Sequence, residues 1–125
     1  MTAAFIIDTE TSGLQDPEII ELAWEKFETP EDSVPIQSYV ARYRNTRPIS
    51  PAAKAVHHIV EDDLTHLEPW SSDERPKADY IIGHNVDFDA DILGYTAAKR
   101  ICTLAISRLL WPKVESHSLS TLCYY

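Results

Sequence analysis

The sequence predicts an α/β domain in which five short strands are interspersed with helices, and three observations carry that expectation. Ala3 to Ile7 is an apolar run that breaks into Asp8-Thr9-Glu10-Thr11-Ser12-Gly13, as a buried strand entering a turn does. Ile19 to Phe27 and Ile36 to Tyr43 mix apolar and polar residues in rough alternation, the pattern of strands with one covered face. Farther on, Phe88, Ile92 and Leu93, and then Thr103 to Leu110, carry apolar residues at helical spacing.

Taken in order, the apolar run is expected to be the central strand, and the two alternating runs, joined through a turn over Pro30 to Pro35, complete an antiparallel meander. Ser50 is placed to cap a short helix over Pro51 to His57, with Pro51 in a tolerated first-turn position. Glu61 to His66 reads as a second short helix. Glu68 to Lys77 reads as a polar loop with one helical turn around Trp70 to Glu74. Asp79 to Ile82 is the fourth strand, ended by Gly83-His84-Asn85, and Arg100 to Cys102 a short fifth. Pro112 stops the helix over 103–110, and Ser118 to Leu122 opens another helix about two turns from Tyr125.

A length of 125 residues with 44% hydrophobic content fits one domain with one core and no linker. No apolar run approaches the roughly 18 residues that a membrane span needs, and the first residues lack a leader pattern, so a cytoplasmic protein without a membrane partner is expected. Cys102 and Cys123 are too few for a disulfide framework or a thiolate zinc site and read as buried thiols. Twenty acids against eleven bases give a net charge of −9, which argues against gripping nucleic acid with a broad basic face. It leaves room for clustered carboxylates whose bound cations meet a phosphate instead.

Two clusters locate such acids. Asp8 and Glu10, one residue apart in a strand, point to the same side. A carboxylate pair at the end of an apolar strand is costly unless a cation or hydrogen bonds compensate it, and a hard divalent cation is a natural partner. The competing reading of this pair alone is a polar strand end lying in water. In the second cluster, Gly83-His84-Asn85-Val86-Asp87-Phe88-Asp89-Ala90-Asp91-Ile92-Leu93, a strand ends and a helix begins. Asp87 and Asp91, four apart, share a helix face, and Asp89 points the other way, toward the side of Phe88, Ile92 and Leu93. Asp89 is therefore the site candidate. Asp87 reads as a helix N-terminal charge and Asp91 as a solvated one.

Asp8-Thr9-Glu10-Thr11-Ser12-Gly13-Leu14 resembles the first motif of the DEDD superfamily of 3′→5′ exonucleases, D-x-E-T-x-G-L, and His84 to Asp89 resembles its second, H-N-x-x-F-D. Arg47-Pro48-Ile49-Ser50-Pro51, Val56-His57-His58-Ile59, Ile101-Cys102-Thr103 and Arg108-Leu109-Leu110-Trp111-Pro112 resemble the exonuclease X branch of the DEDDh type, so that the likeness spans nearly the whole chain. The resemblance implies a ribonuclease H-like fold with a mixed five-stranded sheet flanked by helices. It also implies hydrolysis of phosphodiester bonds from DNA 3′ ends, single-stranded or frayed, with two Mg²⁺ or Mn²⁺ ions. Carried over by position, Asp8, Glu10 and Asp89 would be the catalytic metal ligands. Thr9, Thr11 and Leu14 would seat the terminal nucleotide, with Leu14 against a base, while a core leucine after a tight turn is the other reading of Leu14.

His57 falls where the family has a histidine near the scissile end and is taken as a substrate contact, with His58 or a plain surface histidine as alternatives. Asn85 is a substrate-binding candidate whose other reading, shared with His84, is to turn strand into helix. Trp70 and Trp111 read as packing residues and Glu61-Asp62-Asp63 as a solvated acidic face.

The family's third motif, H-x-x-x-x-D, has no counterpart after Asp89: His117 is followed five residues on by Leu122, and the matching spacings at His57, His58 and His84 come at or before the second motif. The expectation is therefore the N-terminal portion of an exonuclease domain over 1–125, truncated before the helix that bears the general base and the fourth acid. The alternatives are a non-catalytic metal- or nucleic-acid-binding module of the same fold, or a polymerase proofreading subunit.

Overall fold

The computed structural model describes residues 3–29 and 31–125; the Pro30 end of the expected 30–35 turn lies outside them. The strands are β1 (Ala4–Thr11), β2 (Ile19–Phe27), β3 (Gln37–Arg42), β4 (Tyr80–Gly83) and β5 (Lys99–Cys102). They form one sheet in the order β3-β2-β1-β4-β5. β1 to β3 are the antiparallel meander, whereas β4 runs parallel to both β1 and β5, which makes the sheet mixed, as the family likeness implies.

The helices are α1 (Pro51–His57), α2 (Val86–Leu93), α3 (Thr103–Leu110) and α4 (Leu119–Leu122). Ser50 caps α1 by accepting from the Ala53 amide, with Pro51 in the first turn. Ser118 caps α4 in the same way through the Thr121 amide. α2 ends at Gly94, whose φ of 80° is the left-handed conformation that lets its amide return to the carbonyls of Ala90 and Asp91. The expected helix over 61–66 is only a 3₁₀ helix, Glu61–Asp63, followed by a turn over 64–66: Asp63 closes it back onto the Val60 amide, and Leu64 is fully buried.

Side-chain alternation divides the sheet. Phe5 and Ile7 of β1, Leu22 of β2 and Ile81 of β4 pack with Val86, Ala90 and Leu93 of α2 and with Tyr43 and Tyr95. Trp24 joins them, edge-on to Phe5 and stacked on Tyr39. A smaller cluster of Ile20, Ile49, Ile59 and Leu64 fastens the 44–67 segment to β2. The opposite face is open over most of the meander, where Ile6 of β1 is 43% exposed and Val40 of β3 71% exposed, and is covered at Ala4, where β1 begins.

β1 runs from the apolar stretch through the acidic motif to Thr11, keeping Asp8 and Glu10 in a strand as expected, because β2 pairs with it along its whole length, out to Ile19. Two further expectations change. Trp111 is exposed beyond the end of α3 and is not a packing residue, whereas Trp70 packs against the main core. Neither thiol is fully buried, Cys102 being half-buried and Cys123 exposed.

If one face alone is core, Leu22→Ala should cost roughly 2–5 kcal/mol, whereas Val40→Ala on the open face should change stability by less than about 0.5 kcal/mol. Urea titration of the two variants measures the difference, and similar losses would contradict the division.

Candidate active site

β1 carries the first part of the site because its side chains alternate. Asp8 and Glu10 stand on the open face, and Thr9 and Thr11 turn toward the covered one. Opposite them on β2, Asp8 pairs with Ala23 and Glu10 with Glu21, and the register then shifts at a bulge so that Thr11 meets Ile19. The bulge bends the chain into the 12–18 loop. That loop is tied down at Glu18, which accepts from the Thr46 and Arg47 amides at 3.0 and 2.8 Å, and at Ser12, whose carbonyl accepts from the Ser50 amide at 2.8 Å. Anchored at both ends, the loop presents Leu14 to solvent at 88% exposure, which removes the core-leucine alternative.

Asp89 arrives from the other side of the chain. Asn85, in the left-handed conformation (φ 66°), turns β4 into α2 and places Asp89 in the first turn of the helix, facing β1. It is only 5% exposed. Its Oδ1 accepts two bonds from Thr9, from the amide at 3.0 Å and from the hydroxyl at 2.6 Å. Asp87 and Asp91 lie on the outer face, as their spacing predicts, and both pair with Arg100 at 2.8 Å. Asp91 is thus part of an ion pair between α2 and β5 and not simply solvated.

Burial pushes Asp89 up to about 6; the Thr9 hydrogen bonds act against the rise and the charge of Asp8 adds to it. Glu10 is raised by burial and by Asp8, against a lowering influence of His57, and Asp8 by burial, against the Thr9 amide. Asp8 reaches solvent on the open face, so the weight of this electrostatic argument rests on the nearly buried Asp89.

Among the described residues, no three His, Cys, Asp or Glu side chains already converge as a metal centre requires. The donor set nonetheless suits a hard divalent cation. All three groups offer carboxylate oxygen, each is held above its ordinary pKa, and a bound cation would relieve that burden.

Beside the acids lies a cleft of about 280 Å³ lined by Thr9, Glu10, Thr11, Gly13, Leu14, Ser50, Ala52, Ala53, Val56, His57 and Phe88. The structure thus gathers Glu10, Thr9, Thr11, Leu14 and His57 in one place. The side chains of Thr9 and Thr11 have other engagements there: Thr9 donates to Asp89, and Thr11 Oγ1 to the Gly13 carbonyl at 3.0 Å. His57 Nδ1 accepts from the Ile59 amide at 3.0 Å, so Nε2 holds the proton and donates it to the Thr11 carbonyl, also at 3.0 Å. His58, in contrast, is the exposed, left-handed residue closing α1. Asn85 does not line the cleft; it makes the turn before α2. Sequence reasoning missed Val56 and Phe88 as cleft walls, although each adjoins a residue it singled out, His57 and Asp89 respectively.

No family model matches the chain. It is 35% identical over 118 residues to exodeoxyribonuclease 10 of Escherichia coli strain K12, covering 92% of this chain and 51% of that protein. The same figures hold for exodeoxyribonuclease 10 of E. coli O6:H1. The chain therefore spans about half the length of these relatives. Among solved structures it is similar to exonuclease X in complex with 5′ overhanging duplex DNA (TM-score 0.80, 34% identity, 97% of this chain and 71% of that one). It also shares its fold with E. coli exonuclease I in complex with a dT13 oligonucleotide (TM-score 0.76, 15% identity, 99% of this chain and 35% of that one). The strand order, the two acidic motifs and this likeness agree: the chain has a ribonuclease H-like fold and belongs to the DEDD exonuclease superfamily, in the family of exonuclease X.

Proposed function

We propose that the chain is the catalytic portion of a metal-dependent 3′→5′ exodeoxyribonuclease, in which Asp8, Glu10 and Asp89 hold two Mg²⁺ or Mn²⁺ ions at a DNA 3′ end. The observation that carries this reading is the juxtaposition of carboxyls held above their ordinary pKa with a largely apolar cleft of nucleotide-scale volume. Bound cations would supply the positive charge that phosphoryl transfer needs and lower the pKa of the attacking water.

The residues divide the work by position. Asp8 and Glu10 approach from the strand and Asp89 from the helix, so cations bound there would take carboxylate oxygens from two rigid elements and meet the phosphate in turn. Leu14, Val56 and Phe88 offer apolar surface on which a terminal base could pack, a contact that every base can make. Acids outnumber bases twenty to eleven, and four of the basic residues are taken up in the pairs Arg42–Glu21, Arg47–Asp16, Lys54–Glu61 and Arg100–Asp87. Binding then relies on the strand terminus and the cations more than on a basic track.

With both ring nitrogens hydrogen-bonded to backbone, His57 holds the Thr11 carbonyl and is not a free proton acceptor. The general base and the fourth acid of the family pattern are proposed to come from an H-x-x-x-x-D segment outside these 125 residues. A second reading, a module of this fold that binds DNA or metal without cleaving, is favoured by the same engagement of His57.

A 5′-labelled single-stranded oligonucleotide incubated with the chain and Mn²⁺ separates the two readings. With the general base and fourth acid outside these residues, the enzyme reading expects a ladder slowed by roughly 10²–10⁴-fold that still shortens from the 3′ end and vanishes with EDTA and in Asp89→Ala. Mn²⁺ binding by a folded chain that makes no ladder would leave the binding-module reading for these 125 residues.

Leu14→Ala should raise KM about tenfold with little change in kcat, since about 1.4 kcal/mol of apolar contact to a base is lost. Steady-state kinetics on a short oligonucleotide reads this, and an unchanged KM would remove Leu14 from the substrate.

Asp89 also predicts a pH dependence. Its folded pKa is raised, so its contribution to stability is full below the unfolded value near 4 and is lost as pH rises through about 6. Without metal, the wild-type melting temperature should therefore gain between pH 7 and pH 5 relative to Asp89→Asn, and Mg²⁺ at pH 7 should stabilise wild type and not the variant. Parallel pH profiles would refute the assignment of the shift to Asp89.

A further inference from the structure

Thr9 reaches the acidic site from behind. β1 outruns its parallel neighbour: pairing with β4 covers Ala4 to Ile6, and beyond it the Thr9 amide bonds not to a strand but to Asp89 Oδ1. The Thr9 hydroxyl adds a second, shorter bond to the same oxygen, across 80 positions of sequence. Period-two alternation makes this possible, since the register that turns Asp8 and Glu10 to the open face turns the hydroxyl between them toward α2.

We propose that Thr9 is a positioning residue that orients Asp89 for cation binding, its amide and hydroxyl holding Oδ1 so that Oδ2 is presented to the ion. The inference rests on the metal reading above. A carboxylate on a helix turns about two side-chain torsions, and two donors on one oxygen fix both, whereas the amide alone leaves the carboxylate plane to swing. Thr9 is almost fully buried, and its hydroxyl makes no other hydrogen bond among the described residues. Groups that orient a ligating carboxylate in this way are typically worth roughly 10–100-fold in metal affinity.

The test compares Thr9→Val, which deletes the hydroxyl at nearly constant size, with Thr9→Ser, which keeps it. Mn²⁺ affinity is measured by isothermal titration calorimetry and by the loss of free Mn²⁺ signal in electron paramagnetic resonance, alongside melting temperature in chelator. Thr9→Val should bind Mn²⁺ roughly 10–100-fold more weakly, and Thr9→Ser should stay close to wild type. Should Thr9→Val fail to fold, Thr9→Ala against Thr9→Ser gives the same comparison. A purely structural threonine would lower the melting temperature and leave Mn²⁺ affinity unmoved, which would overturn the proposal, as would equal losses in Thr9→Val and Thr9→Ser. A wild-type chain that binds no Mn²⁺ would overturn the metal reading and this inference together, whereas normal binding by both wild type and Thr9→Val sinks only the inference.

Discussion

The site depends on the alternation of side chains along β1, the middle strand of the sheet, held on one side by β2 and on the other by β4. Five consecutive residues, Ile7 to Thr11, belong to two different environments. Ile7, Thr9 and Thr11 join the packed side, and Asp8 and Glu10 stand on the open one. A slip of one residue would bury both acids and expose the core isoleucine, so the packing of Phe5 and Ile7 against α2 specifies the register and thereby the position of the carboxylates. α2 is bound to the same strand, through Val86, Ala90 and Leu93 and through Asp89 itself, and core and site share one set of contacts.

Electrostatics works against the fold at this point. Burial and neighbouring charge both disfavour the ionised carboxyl, and Asp89 is raised to about 6 as a result. Elsewhere the opposite arrangement holds. Glu18 is partly buried, yet hydrogen bonds from Thr46 and Arg47 keep it below the usual carboxylate range, and Lys54 with the Ile49 amide holds Glu61 at about 2. Well-paired acids thus stabilise the loops around the cleft, while Asp8, Glu10 and Asp89 are raised together beside it. A stability cost confined to one cluster is the usual mark of a site kept for function.

A good part of this was legible in the residues alone. Motif spacing located Asp8, Glu10 and Asp89, the four-residue interval set Asp87 and Asp91 apart from Asp89, and alternation gave the meander. Ser50 and Pro51 marked the start of α1, because a cap is a contact between near neighbours and needs no distant partner. The errors were of another kind. The exposure of Trp111, the engagement of His57 and the bonds of Thr9 to Asp89 all depend on residues far away in the chain.

By itself, then, the sequence determined which elements form, which acids are candidates and which family the chain resembles, since period, caps and motif spacing are local properties. Tertiary structure decided which hydroxyls are free, which face of the sheet stays open and which side chains wall the cleft. Those are properties of pairs brought together across the chain: β2 set the bulge after Glu10, α2 drew Asp89 onto Thr9, and the anchored 12–18 loop turned Leu14 outward. A local pattern encodes direction along an element, and only packing encodes what stands opposite.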